Sequence, residues 1–81
     1  MWKYTVQVDG MMCGMCESHV NDAVRKALPV KKVSSSHSRG VTTVIAEEAL
    51  DEEALRAAIS ATGYEVGSIQ KEPWVKKRFF G

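Results

Sequence analysis

Cys13 and Cys16 are the only cysteines of the 81-residue chain, and two residues separate them at what reads as the mouth of a helix. So close a pair cannot staple a fold, but it suits metal binding or redox chemistry. With Cys13 in a loop and Cys16 in the first helical turn, two sulfurs can converge on one atom. The unpaired N–H groups and the dipole of a helix start favour thiolate, the form that binds soft metals. Two thiolates without an evident third ligand suit a soft ion of low coordination number, and Cu(I) fits best. A structural zinc site wants four ligands. The remaining candidates are His19 and His37. His19 follows Cys16 by about one helical turn and reads as exposed helix surface, with an approach to the metal or to a second protomer as the alternative. His37 reads as a hairpin-end residue well separated from the pair, so a closed zinc site is not expected. Met12 and Met15 carry soft thioethers. Neither is assigned as a ligand, and Met15 reads as loop packing or a partner contact.

Two other readings compete for the thiols. Inert structural cysteines are usually buried and rarely cluster in a glycine-rich loop. Thioredoxin-like dithiols also place Cys-x-x-Cys at a helix start, but in a longer chain and with a cis-proline opposite. Pro29 and Pro73 are the only prolines here, and neither precedes a strand in that way.

The elements that must position the pair are legible from periodicity. Residues 3–8 alternate, with Tyr4, Val6 and Val8 on one face of a half-buried strand. Asp9-Gly10 breaks it. A helix over roughly 15–28 carries Cys16, Val20, Ala23, Val24 and Ala27 as one apolar stripe and stops at Pro29. Residues 30–37 and 41–47 read as strands joined by the turn Ser38-Arg39-Gly40. Asp51 is the N-cap of a second helix that runs to about Thr62, with Leu55, Ala58, Ile59 and Thr62 inward and Gly63 as its stop. Residues 64–69 form the last strand, with Tyr64, Val66 and Ser68 alternating. The order β-α-β-β-α-β predicts an α+β, ferredoxin-like fold: a four-stranded antiparallel sheet with two helices on one face. Val41 and Ile45 fall on the other face.

Length and composition allow one small domain with a marginal core. The formal charge of +1 argues against a nucleic-acid module. It conceals an acidic body, residues 1–70 at −2, and a tail, residues 71–81 at +3. The domain is therefore placed at 1–70 and a basic-aromatic tail at 71–81. Trp74, Phe79 and Phe80 of that tail are candidates to cover the open sheet face; a membrane contact through one short segment is the weaker reading. No apolar run is long enough to span a bilayer, and no signal-peptide core is visible. A cytoplasmic, free-standing protein is expected, without stable membrane insertion.

The segment Gly10-Met11-Met12-Cys13-Gly14-Met15-Cys16 resembles the Gly-Met-x-Cys-x-x-Cys signature of heavy-metal-associated domains, found in small copper chaperones and in N-terminal modules of copper-transporting P-type ATPases. The resemblance covers about residues 3–69, including Val30-Lys31-Lys32-Val33 and Gly63-Tyr64. It implies the same fold, with Cys13 and Cys16 as Cu(I) ligands on an exposed loop and no catalytic residues. It implies transfer to a partner through shared three-coordinate thiolates, the partner being a copper-transporting P-type ATPase or a copper-responsive repressor. A metal-linked dimer is compatible with that chemistry. Met11 matches the methionine tucked under the loop, and Tyr64 the aromatic residue placed near it. Met12 stands where relatives carry Thr or Ser. Relatives that prefer Zn(II) or Cd(II) often carry an acid there, so Met12 favours Cu(I). Ser35, His37 and Ala46 stand where relatives often place larger apolar residues, which predicts a thin core. Mercury-binding relatives share the motif. A Zn(II), Cd(II) or Hg(II) carrier on the same scaffold and a dithiol oxidoreductase are the alternatives.

Overall fold

The computed structural model describes residues 1–12 and 14–74. The elements are β1 (Trp2–Asp9), α1 (Gly14–Ala27), β2 (Lys32–Ser36), β3 (Val41–Ala46), α2 (Glu52–Ser60) and β4 (Glu65–Pro73). The strands form one antiparallel sheet in the order β2-β3-β1-β4. This is the expected ferredoxin-like arrangement. Tyr4, Val6 and Val8 of β1 are buried with Val44 of β3, and against them pack Val20 and Val24 of α1 and Leu55 and Ile59 of α2. Burying each of the four helix side chains is worth about 1.5–3 kcal/mol over leaving it exposed.

Register decides which loops share an end of the sheet. Gln7 lies opposite Val41, and Asp9 opposite Glu65. The loop after β1, the β2–β3 turn and the α2–β4 turn therefore gather at one end. The Val8 N–H donates to the Gly40 carbonyl at 2.8 Å, which ties the β2–β3 turn to the end of β1.

Three expectations are corrected. Ala27 is exposed and Leu28 is half-buried against the core instead, because Leu28 follows Val24 by four residues, its N–H still donating to the Val24 carbonyl at 2.9 Å, and so continues the core-facing stripe. Ser68 does not continue the inward alternation of β4. A bulge pairs Val6 with Ile69 but Val8 with Val66, so Ile69 takes the inward place. Exposed Ser68 donates to Gln7 Oε1 at 3.1 Å. Arg56 Nη1 donates to the Val66 and Gly67 carbonyls, at 3.3 and 3.0 Å, at this irregularity. Finally, β4 does not end at residue 69. It pairs with β1 as far as Pro73, and the Trp74 N–H donates to the Met1 carbonyl at 2.9 Å. Lys71 thereby sits over the Trp2 ring, 4.5 Å from its centroid, within cation–π range.

The core is partly polar where a thin one was expected. The Ser35 hydroxyl donates to Asn21 Oδ1 at 2.7 Å and lies 2.9 Å from the hydroxyl of fully buried Thr42. A hydrogen-bonded chain thus links α1, β2 and β3 where larger side chains would otherwise fill space. On the open face, half-buried Trp74 lines a hollow with Met1, Lys31, Lys32 and Ile45. Phe79 and Phe80 lie outside the described residues.

Candidate metal centre

The site begins where β1 stops. Gly10 adopts φ +109°, and a Cβ there would come within 2.9 Å of Tyr64 Cδ1. Only glycine combines that backbone with so close an aromatic ring. Gly63, at φ +100°, turns the chain out of α2 and brings Tyr64 to this position. Tyr64 is half-buried against the core, so the aromatic expected near the loop is there. Met11 follows Gly10 and is buried in the core cluster. Its side chain anchors the loop from beneath, as expected of a support. Met12 and Met15, by contrast, are 78% and 82% exposed.

Cys13 lies outside the described residues. Cys16 sits in the first turn of α1, half-buried, four residues before Val20 on the core-facing stripe. Cys16, Met15, His19, Asp22 and Tyr64 line one hollow of about 460 Å³ that opens on solvent. Asp22 accepts from Arg25 Nη1 at 3.2 Å. Among the described residues no three His, Cys, Asp or Glu side chains are already gathered as a metal cage.

His37 is turned away to a different task. Its backbone N–H donates to Glu17 Oε2 at 2.7 Å, and its Nδ1 lies 2.6 Å from the same oxygen. The backbone bond, and then the ring, hold the Glu17 carboxyl below the usual carboxylate range. Because Glu17 directly follows Cys16, the link fastens the cysteine-bearing turn of α1 to the β2–β3 turn. Sequence reasoning missed it. The partners are 20 residues apart, and only the sheet register brings them to one end.

No helix among the described residues is long and apolar enough to cross a membrane. A family model of the heavy-metal-associated domain matches residues 5–65. Over 71 residues, 88% of this chain, the sequence is 32% identical to a mercuric reductase of Lysinibacillus sphaericus. The chain spans only 13% of that relative's length. Among solved structures, a copper-binding domain from HMA7, a P-type ATPase, superposes with a TM-score of 0.79 at 29% identity, covering 91% of this chain and 100% of that one. The CopZ metallochaperone superposes with a TM-score of 0.75 at 26% identity, covering 80% and 98%.

Proposed function

Because this chain belongs to the heavy-metal-associated domain family, we propose that it carries Cu(I) between the thiolates of Cys13 and Cys16 and hands the ion to a thiol-bearing partner domain in the cytoplasm. The observation that carries this reading is the build of the loop. Buried Met11 and the Gly10–Tyr64 contact fix its base, while Cys16 faces a solvent-open hollow at a helix start. Such a site holds a soft ion where another protein can reach it. The positive end of α1 favours thiolate at Cys16. Two thiolates satisfy Cu(I) without a closed cage. Release then proceeds by ligand exchange: an incoming thiolate bonds the ion, and one of the chain's own thiolates leaves. No acid–base step is needed, and none of the residues around the hollow is assigned a catalytic role. The likeness to a copper-binding domain of a P-type ATPase supports a metal-binding domain of such a transporter as the partner.

The likeness to mercuric reductase favours a second reading, Hg(II) as cargo on the same two sulfurs. Anaerobic titration of the reduced protein with Cu(I) against a competing chelator tests the first. Stoichiometric binding that disappears in Cys13→Ser/Cys16→Ser supports it, and tight binding that survives the double substitution overturns it. Native mass spectrometry with Cu(I), Hg(II) and Zn(II) in competition ranks the cargoes.

A further inference from the structure

The chain has two histidines, and the fold uses them differently. His37 is committed to Glu17 through both its backbone and its ring. His19 is exposed on α1, and among the described residues it makes no hydrogen bond or ion pair. It lies three residues after Cys16, so their Cβ atoms share one helix face about 5–6 Å apart. Both line the same solvent-open hollow. Asp22, the other titratable group there apart from Tyr64, is engaged by Arg25.

We propose that His19 is a third donor to the ion held by Cys13 and Cys16, recruited by divalent metals and left unused by Cu(I). The proposal rests on the thiolate site described above and adds to it a residue that sets metal selectivity. An ion bonded to sulfur at about 2.3 Å and to imidazole nitrogen at about 2.0–2.1 Å, with tetrahedral angles, brings the two donor atoms to about 3.6 Å. Side chains whose Cβ atoms stand 5–6 Å apart reach that separation by leaning together over the hollow. Zn(II) takes mixed sulfur and nitrogen ligands and prefers four of them. Neutral imidazole suits it, whereas two thiolates already satisfy Cu(I). From its exposed place at the hollow, His19 swings in when the ion arrives. A side chain that makes no hydrogen bond or ion pair among the described residues can do so without breaking one of these. His37 would first have to abandon Glu17.

The test compares Zn(II) alone and Cu(I) alone on the reduced full chain, as wild type, His19→Ala and Cys13→Ser/Cys16→Ser. The expected result is a loss of at least about tenfold in Zn(II) affinity for His19→Ala, since even outer-shell partners of a metal ligand cost 10–100-fold. Cu(I) affinity should stay within about threefold. One equivalent of Zn(II) should also shift the ring ¹⁵N resonances of His19 and leave those of His37 in place. The proposal is overturned if His19→Ala binds Zn(II) as the wild type does, if it loses both metals equally, or if the His19 ring does not respond to Zn(II). Failure of the underlying site has a separate signature, namely Cu(I) binding that persists in the double cysteine variant.

Discussion

Replacing Gly10 by Ala probes the base of the metal loop at the point where two constraints meet. The first is the backbone. At φ +109° a residue with a Cβ sits in a sparsely populated region, at a cost of about 1–3 kcal/mol. The second is the Tyr64 ring. The new methyl would lie 2.9 Å from Cδ1, 3.7 Å from Cε1 and 3.8 Å from Cγ, the first well inside an ordinary carbon–carbon contact of about 3.5–4.0 Å. Because Cδ1 belongs to the ring and is not the loose end of a flexible chain, the whole side chain must move. Overpacking of this kind costs about 1–3 kcal/mol. The two together give about 2–6 kcal/mol, against a total stability of roughly 4–12 kcal/mol for a domain of this length. Urea denaturation of the reduced, metal-free protein, followed by circular dichroism, measures the loss. A double-mutant cycle with Tyr64→Ala separates the causes, since removing the ring relieves the clash and leaves the backbone strain. The double variant should therefore be more stable than the sum of the single losses by about 1–3 kcal/mol. Losses that add to within about 0.5 kcal/mol, or a cost for Gly10→Ala below about 1 kcal/mol, would refute the reasoning.

Substitutions at three further positions test the supports of the fold. Tyr4 is fully buried, and its hydroxyl accepts from the Leu50 N–H at 2.7 Å and lies 3.2 Å from the Leu50 carbonyl, to which it donates; Tyr4→Phe should cost about 1–3 kcal/mol in chemical denaturation, and a loss under about 0.5 kcal/mol would contradict that role. Asp51 Oδ1 accepts from the Glu53 N–H at 3.0 Å, so Asp51→Ala should cost about 1 kcal/mol and Asp51→Ser should restore most of it, read as shifts in the thermal midpoint. Glu17 is held below the usual carboxylate range by the His37 backbone N–H and then by the His37 ring. A carboxylate lowered by folding adds stability above its unfolded pKa of about 4.3 and loses it as pH falls through the folded value. The stability gap between wild type and Glu17→Gln should accordingly be present at neutral pH and close as pH falls below about 4; a gap that persists unchanged to pH 3 would show that charge at Glu17 is not its source.

What the sequence discloses here is what depends on neighbours in the chain. The alternation of Tyr4, Val6 and Val8 and the Asp51 cap each follow from a few consecutive residues, and each stands in the structure; Gly63 does turn at positive φ, but α2 already ends at Ser60 with Ala61 as its C-cap. Met11 and Tyr64 came from a resemblance carried by a short motif, and both lie at the loop. The features that were not legible depend on a partner strand. The bulge of β4 exists only relative to β1. Gln70, Lys71, Glu72 and Pro73 carry none of the composition of a strand, yet they form one, since an edge strand tolerates polar residues and a terminal proline. Ser35 and Thr42 look like gaps in the core until Asn21 is seen beside them.

The histidines show the same division at the site itself. By sequence His19 reads as exposed helix surface with an approach to the metal as the alternative, and His37 as a hairpin-end residue well separated from the cysteines. The antiparallel pairing of β2 with β3, and the bond from Val8 to Gly40, carry the β2–β3 turn to the metal-loop end of the sheet. His37 therefore arrives there too, despite its distance in the chain. Proximity to the loop cannot then be what separates the two residues. Commitment separates them: Glu17 holds the histidine that topology delivers, while the one that helical spacing delivers lines the hollow beside Cys16 and makes no hydrogen bond or ion pair among the described residues. With His19 as the proposed third donor, His19→Ala is the substitution expected to change which metals bind while leaving the fold intact.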